Sequence, residues 1–293
     1  MINVRRLGHA TLSTPDLDRQ VDYYLRHVGL SLVHKDEVRA VLATRVGQET
    51  IVLERGTAGA LTGLAFQVPP GTDLAELQRQ LQAASVRSEL RSSPTPGIDQ
   101  MLVLEDPKGT KIEIFSDYRF QGFDKSTQGV MPLKLGHVAF RVTNLQAILR
   151  FYIDLLGFRI SDSRDDTFYF LRCSPDHHTV NFLADDKTEL HHFAFELKDW
   201  GEIHRGCEVL ARDDIHQVWG PGRHIIGHNI ACYHHNADKL MVEFYTEMDQ
   251  MKDETLGYFE PRPWHQDFPQ WPKVWGPETL RNYWGFGSER PAR

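Results

Sequence analysis

An α+β fold of two tandem domains, each a pair of βαβββ repeats, is predicted by three features of this 293-residue chain. The segment LGHATLSTPDLDRQVDYYLRHVGLSLVH (7–34) aligns without gaps with LGHVAFRVTNLQAILRFYIDLLGFRISD (135–162). Further on, MLVLEDPKGTKIEIFSDYR (101–119) matches ACYHHNADKLMVEFYTEMD (231–249) in pattern. Between these ends each half holds another apolar run, LTGLAFQV (61–68) and LHHFAFEL (190–197). Self-similarity at a fixed period is the mark of a repeated architecture, because one supersecondary unit alone leaves its apolar face uncovered.

Taken along the chain, each copy opens with a strand of alternating apolar residues, then a loop containing Asp or Asn, then apolar residues at helical spacing. Gly29 and Gly157 stand at the same point after that helix, where a helix stop is expected. The run 61–68 supplies the next strand, and DLAELQRQLQAA (73–84) an amphipathic helix after it. Residues 101–119 and 231–249 each read as strand, polar turn and strand, with Glu113 and Glu243 in the same register. The expected division is 1–125, 126–250 and a tail, 251–293.

The tail differs in composition, holding Trp264, Trp271, Trp275 and Trp284 among closely spaced prolines. A regular helix is compatible only with PETLRNYW, Pro277 occupying its first turn. So much aromatic surface predicts a segment packed on the second domain or on a neighbouring subunit.

Composition excludes several functions. At 41% hydrophobic and 25% charged residues, the chain has enough apolar material for two cores. A formal charge of −7 and the absence of a basic stripe argue against nucleic acid, whose phosphates need clustered Lys and Arg. No stretch approaches a membrane span and no signal core opens the chain, so a cytoplasmic location is expected. Cys173, Cys207 and Cys232 form no CxxC pair and are expected as reduced thiols.

The chemistry is concentrated in the second half, where eleven of the fifteen histidines fall between residues 137 and 235. His137 in LGHVAF, His192 in LHHFAF and Glu243 in LMVEFY each sit in a strand-like run. Two imidazoles and one carboxylate hold Fe(II) on one face and leave positions open for substrate and dioxygen. Register with LGHVAF selects His192 over His191. The first copy keeps His9 and Glu113 but has Gly63 and Val103 where the second has His192 and Tyr233. A domain without a complete metal site is expected there.

The paired repeat with this trio resembles the vicinal oxygen chelate superfamily, and within it the two-domain type I extradiol ring-cleavage dioxygenases. GRHIIGHNIACYHHNADKLMVE (222–243) is similar to the extradiol signature, with His224, Tyr233 and Glu243 at the required spacings. It departs from it at Cys232, Ala237 and Lys239, where an aliphatic residue, Pro and Gly are usual. CSPDHHTVNF (173–182) is similar to the strand bearing the family's active-site histidine, and strand alternation selects His178 over His177.

The resemblance implies Fe(II), with Mn(II) as the alternative, held by His137, His192 and Glu243. It implies that His178 stabilises the oxygen species and moves a proton. Tyr233 would then donate to the diol or ketone oxygen, and His224, on the mobile turn GPGRH (220–224), would help close the pocket. Phe182, Phe193 and Phe244 are expected to line it; His228, His234 and His235 are expected to be structural or solvent-facing. The implied partners are a small aromatic diol and O2, in a homo-oligomer. Two other readings stay open: a hydroquinone or hydroxyphenylpyruvate type of dioxygenase with the same triad, and a metal-free small-molecule-binding protein of the same fold.

Overall fold

The computed structural model describes residues 2–122, 128–260 and 272–285. The chain forms two compact units, Met1–Leu135 with Gln146–Gly157 and Asn236–Leu240, and Gly136–Leu145 with Phe158–His235 and Met241–Arg293.

The first unit is built on an eight-stranded sheet whose order is Ser31–Lys35, Arg39–Ala43, Glu49–Arg55, Arg6–Thr14, Ala60–Gln67, Lys111–Phe115, Ile98–Glu105, Glu89–Thr95. Two βαβββ repeats therefore meet where their first strands, Arg6–Thr14 and Ala60–Gln67, pair antiparallel. The helix Leu17–Tyr23 begins where the Asp16 side chain accepts from the Arg19 amide, satisfying a free N–H of the first turn. It runs on as a wider π-type turn, Tyr24–Val28, and stops at Gly29, whose φ of +77° is left-handed. The second helix, Leu74–Ala83, buries Leu74, Leu77 and Leu81, one stripe at helical spacing.

The second unit repeats that order. Its ten-stranded sheet runs Lys273–Trp275, Arg159–Arg164, Phe168–Arg172, Val180–Ala184, Lys134–Val142, Glu189–Glu196, Met241–Thr246, Ile230–His235, Gln217–His224, Asn282–Gly285. The eight inner strands reproduce the first sheet, and the outermost strand on each side comes from the tail. The architecture is the α+β arrangement of paired βαβββ repeats in tandem that the sequence predicts.

Three local expectations need correction. PETLRNYW is not helical: residues around Pro277 turn, and Asn282–Gly285 is a strand paired with Gln217–His224. So short a helix is marginal in water, whereas an open sheet edge offers backbone partners at once. GPGRH is not a turn but part of the strand Gln217–His224, held between two neighbours with register shifts where the chain bulges. A helix that the sequence reading omitted, Trp200–Arg212, follows the strand Glu189–Glu196; Asp199 caps it, and Ile203, Gly206 and Leu210 are buried. Trp264 and Trp271 lie outside the described residues. Among the described residues no helix is long and apolar enough to cross a membrane.

Candidate metal centre

The strand pairing alone brings the three predicted ligands together. Met241–Thr246 pairs in parallel with Glu189–Glu196, Ala194 opposite Glu243, and antiparallel with Ile230–His235, Tyr233 opposite Glu243. Side chains two residues apart share a face of a strand, so His192 joins Glu243 and Tyr233. His137 shares a face with Ala139, whose partner across the ladder is Asn181. The residue before His137 is Gly136, where a Cβ would fall 1.8 Å from the Tyr245 hydroxyl. Without that methyl group the Tyr245 ring packs at 4.9 Å from the His137 ring.

His137 Nε2 lies 3.1 Å from His192 Nε2 and 3.0 Å from Glu243 Oε2, and His192 Nε2 lies 2.9 Å from that same oxygen. Three donors at nearly equal spacing form one face of an octahedron. That edge length corresponds to a centre about 2.1 Å from each donor, the usual length of a bond from imidazole or carboxylate to a divalent first-row ion. All three residues are buried, and His137 and His192 turn nitrogens toward each other with no room for both to carry protons. The donor set therefore fits a divalent metal. Among the described residues it is the one cluster of His, Cys, Asp and Glu side chains with this convergence.

Neighbouring groups prepare the donors. Burial pushes the His192 imidazole below its ordinary range against the pull of Glu243, so the neutral ring has a lone pair to offer. Burial alone would raise the Glu243 carboxyl, but His137 and His192 hold it well below the usual carboxylate range. Asn229 Nδ2 donates to Glu243 Oε1 at 2.8 Å, leaving Oε2 for the cation. His191 Nδ1 lies 2.6 Å from His192 Nδ1, so the ring set aside as a ligand orients the one that is.

A cavity of about 390 Å³ opens over this face, the size of a small-molecule pocket. His178, Tyr233 and His224 all line it together with the three ligands. Phe168 and Phe170 form aromatic wall; Phe182, Phe193 and Phe244 do not. Those three are fully buried, and each adjoins a site-facing residue (Asn181, His192, Glu243), so alternation turns it to the other face.

His178 packs its ring 4.4 Å from that of His137, and burial holds it well below the ordinary imidazole range. Both His177 and His178 precede the strand Val180–Ala184, so alternation does not separate them, and their Nδ1 atoms lie 3.0 Å apart. His224 Nδ1 donates to Asn282 Oδ1 at 2.7 Å while Trp219 stacks on its ring. Burial raises the Tyr233 phenol well above its ordinary value, so it keeps its proton and donates to His224 Nε2 at 2.9 Å. His228 is wholly buried, paired with Asp249 at 2.7 Å, and His234 is buried too; both are structural.

In the first unit the same register recurs, with Ala65 and Val103 both opposite Glu113. His9 Nε2 sits 3.2 Å from Glu113 Oε2, and Gly63 offers no third donor.

Comparison with known proteins agrees with this geometry. A model of the Glyoxalase/Bleomycin resistance protein/Dioxygenase superfamily matches residues 6–114 and 134–247. Metapyrocatechase 2 of Cupriavidus necator is 28% identical over 251 residues, 78% of this chain and 77% of that protein. An iron-dependent extradiol dioxygenase of Rhodococcus jostii is 24% identical over 285 residues, 87% of this chain and 93% of that one. Among solved structures, a Mn(II)-bound glyoxalase from Novosphingobium aromaticivorans superposes with a TM-score of 0.84 at 24% identity, covering 100% of this chain and 96% of that one.

Proposed function

The chain belongs to the Glyoxalase/Bleomycin resistance protein/Dioxygenase superfamily, and we propose that within it the protein is a metal-dependent extradiol dioxygenase of aromatic compound catabolism. It cleaves a catechol-type ring beside the diol and inserts both atoms of O2. The observation that carries this reading is the buried, evenly spaced His137–His192–Glu243 face beneath a cavity of substrate size.

Bound there, Fe(II), or Mn(II) on the same donors, would supply open positions for the diol oxygens and dioxygen and would ease loss of a hydroxyl proton. Around it the side chains divide the work. Neutral His178 holds or moves the proton on the cavity side of His137, a task suited to an imidazole. Tyr233, protonated at working pH, holds its one hydrogen toward His224 Nε2 and turns it to an oxygen of the substrate when the diol binds. Phe168 and Phe170 exclude water and pack against the ring. The proposal keeps 1–125 as a scaffold domain lacking a complete site, 126–250 as the catalytic domain and 251–293 as a packing tail. It extends to a cytoplasmic homo-oligomer, whose mass light scattering would read.

Anaerobic reconstitution with Fe(II), then air and a panel of catechols, tests the reading. A coloured ring-opened product with one O2 consumed per diol is expected. His192→Ala and Glu243→Ala should lose the iron. His178→Ala should keep it while kcat falls about 100-fold or more. Full turnover by an iron-free variant, or no diol turned over by iron-loaded protein, would overturn the proposal.

A further inference from the structure

We propose that Asp162 and His177 are positioning residues that fix the tautomer of His178, leaving its Nε2 as a bare hydrogen-bond acceptor for the cavity. The inference rests on the function proposed above for its catalytic meaning, though not for its geometry.

Asp162 is a buried residue of the strand Arg159–Arg164. Three N–H groups converge on its carboxylate. Trp275 Nε1 reaches Oδ2 at 2.9 Å, the Lys273 amide reaches Oδ1 at 2.9 Å, and His177 Nε2 lies 3.2 Å from Oδ2. An ionised carboxylate only accepts, so His177 carries its hydrogen on Nε2. Where that is the ring's one hydrogen, Nδ1 is a lone pair, and it faces His178 Nδ1 at 3.0 Å. Two lone pairs do not meet at that distance, so His178 carries its hydrogen on Nδ1. Its Nε2 is the lone pair left for the cavity that His178 lines.

The surroundings hold this arrangement rigidly. His177 and His178 are 2% and 3% exposed. Phe170 packs against both rings and Phe259 against His177. Gly227, at a φ of +82°, crosses close above them, where a Cβ would come within 3.1 Å of His177 Nδ1 and 3.2 Å of His178 Cε1. No water fits between the two rings to reverse the direction of the hydrogen bond. The chemical consequence is a directed one: His178 meets a diol hydroxyl as a hydrogen-bond acceptor at Nε2, not as a donor. The histidine–aspartate pair His228–Asp249 performs no such task, since His228 stacks on Tyr283 and does not line the cavity.

The test is a long-range ¹H–¹⁵N correlation spectrum of the full-length protein labelled with ¹⁵N-histidine and loaded with Zn(II), a diamagnetic stand-in. His178 should show a protonated Nδ1 and an unprotonated Nε2. In Asp162→Asn and His177→Phe, that preference should be lost. With Fe(II), kcat should then fall at least tenfold while KM for the diol and the iron content stay within twofold. A wild-type His178 protonated on Nε2, or variants with unchanged kcat, would overturn the inference. If both variants fail to fold, the wild-type spectrum alone decides. If the expected tautomer is found but no diol is turned over by the wild-type protein, the positioning stands and the proposed substrate falls.

Discussion

Gly136 shows how a residue with no chemistry of its own governs a ligand. Its missing side chain is the space in which the Tyr245 hydroxyl sits against His137. Gly136→Ala should overpack this buried contact, destabilising the fold by about 1–3 kcal/mol, with weaker metal retention than wild type on chelator challenge. Thermal melting and metal analysis after dialysis read both effects. At this scale the sequence was informative for residues that belong to a repeat or a spacing: His137, His192, Glu243, His224 and Tyr233 converge on one cavity. It was silent on Asn229 and Asp162, and it set His191 and His177 aside without a role. Their roles arise from hydrogen bonds between distant or irregular segments, and no period reports such contacts. Alternation was the wrong ground for choosing His178 over His177, since it holds only where the chain is extended in a ladder, although His178 is the one that lines the cavity.

Among the elements, those with strong periodicity were legible and those made by sheet edges were not. The strands and the helix Leu74–Ala83 follow apolar spacing. The helix Trp200–Arg212 was missed although Asp199 and Glu202 mark its start, because Gly201 and Gly206 weaken its helical signal. Asp199→Ala should remove the acceptor of the Glu202 amide and cost about 1 kcal/mol, seen as a lower melting temperature with unchanged metal content. The strands Lys273–Trp275 and Asn282–Gly285 were illegible for a different reason. They are too short to show alternation, and they exist because edges are available to receive them.

For the whole molecule, four βαβββ repeats in two sheets of the same inner order were readable from self-similarity, whereas burial of so many imidazoles has to be seen in three dimensions. That burial sets a pH dependence. Burial depresses His178 and His224, and His191 is pushed down to about 3 by burial first and by His192 second. Below about pH 6.5 the unfolded chain binds protons at these positions while the folded one does not, so stability falls as pH falls. Metal-free protein should lose up to about 1.4 kcal/mol per pH unit for each such histidine, read from melting curves between pH 7 and pH 5. A flat profile would show that these rings are not held neutral.

The two outermost strands of the larger sheet also impose an order in time. Lys273–Trp275 docks on Arg159–Arg164 and Asn282–Gly285 docks on Gln217–His224, so neither forms before the edge that receives it. The three metal ligands, by contrast, lie on inner strands. A refolding chain should therefore recapture its metal first. Turnover should return in a later phase, once Trp275 has reached Asp162 and Asn282 has reached His224.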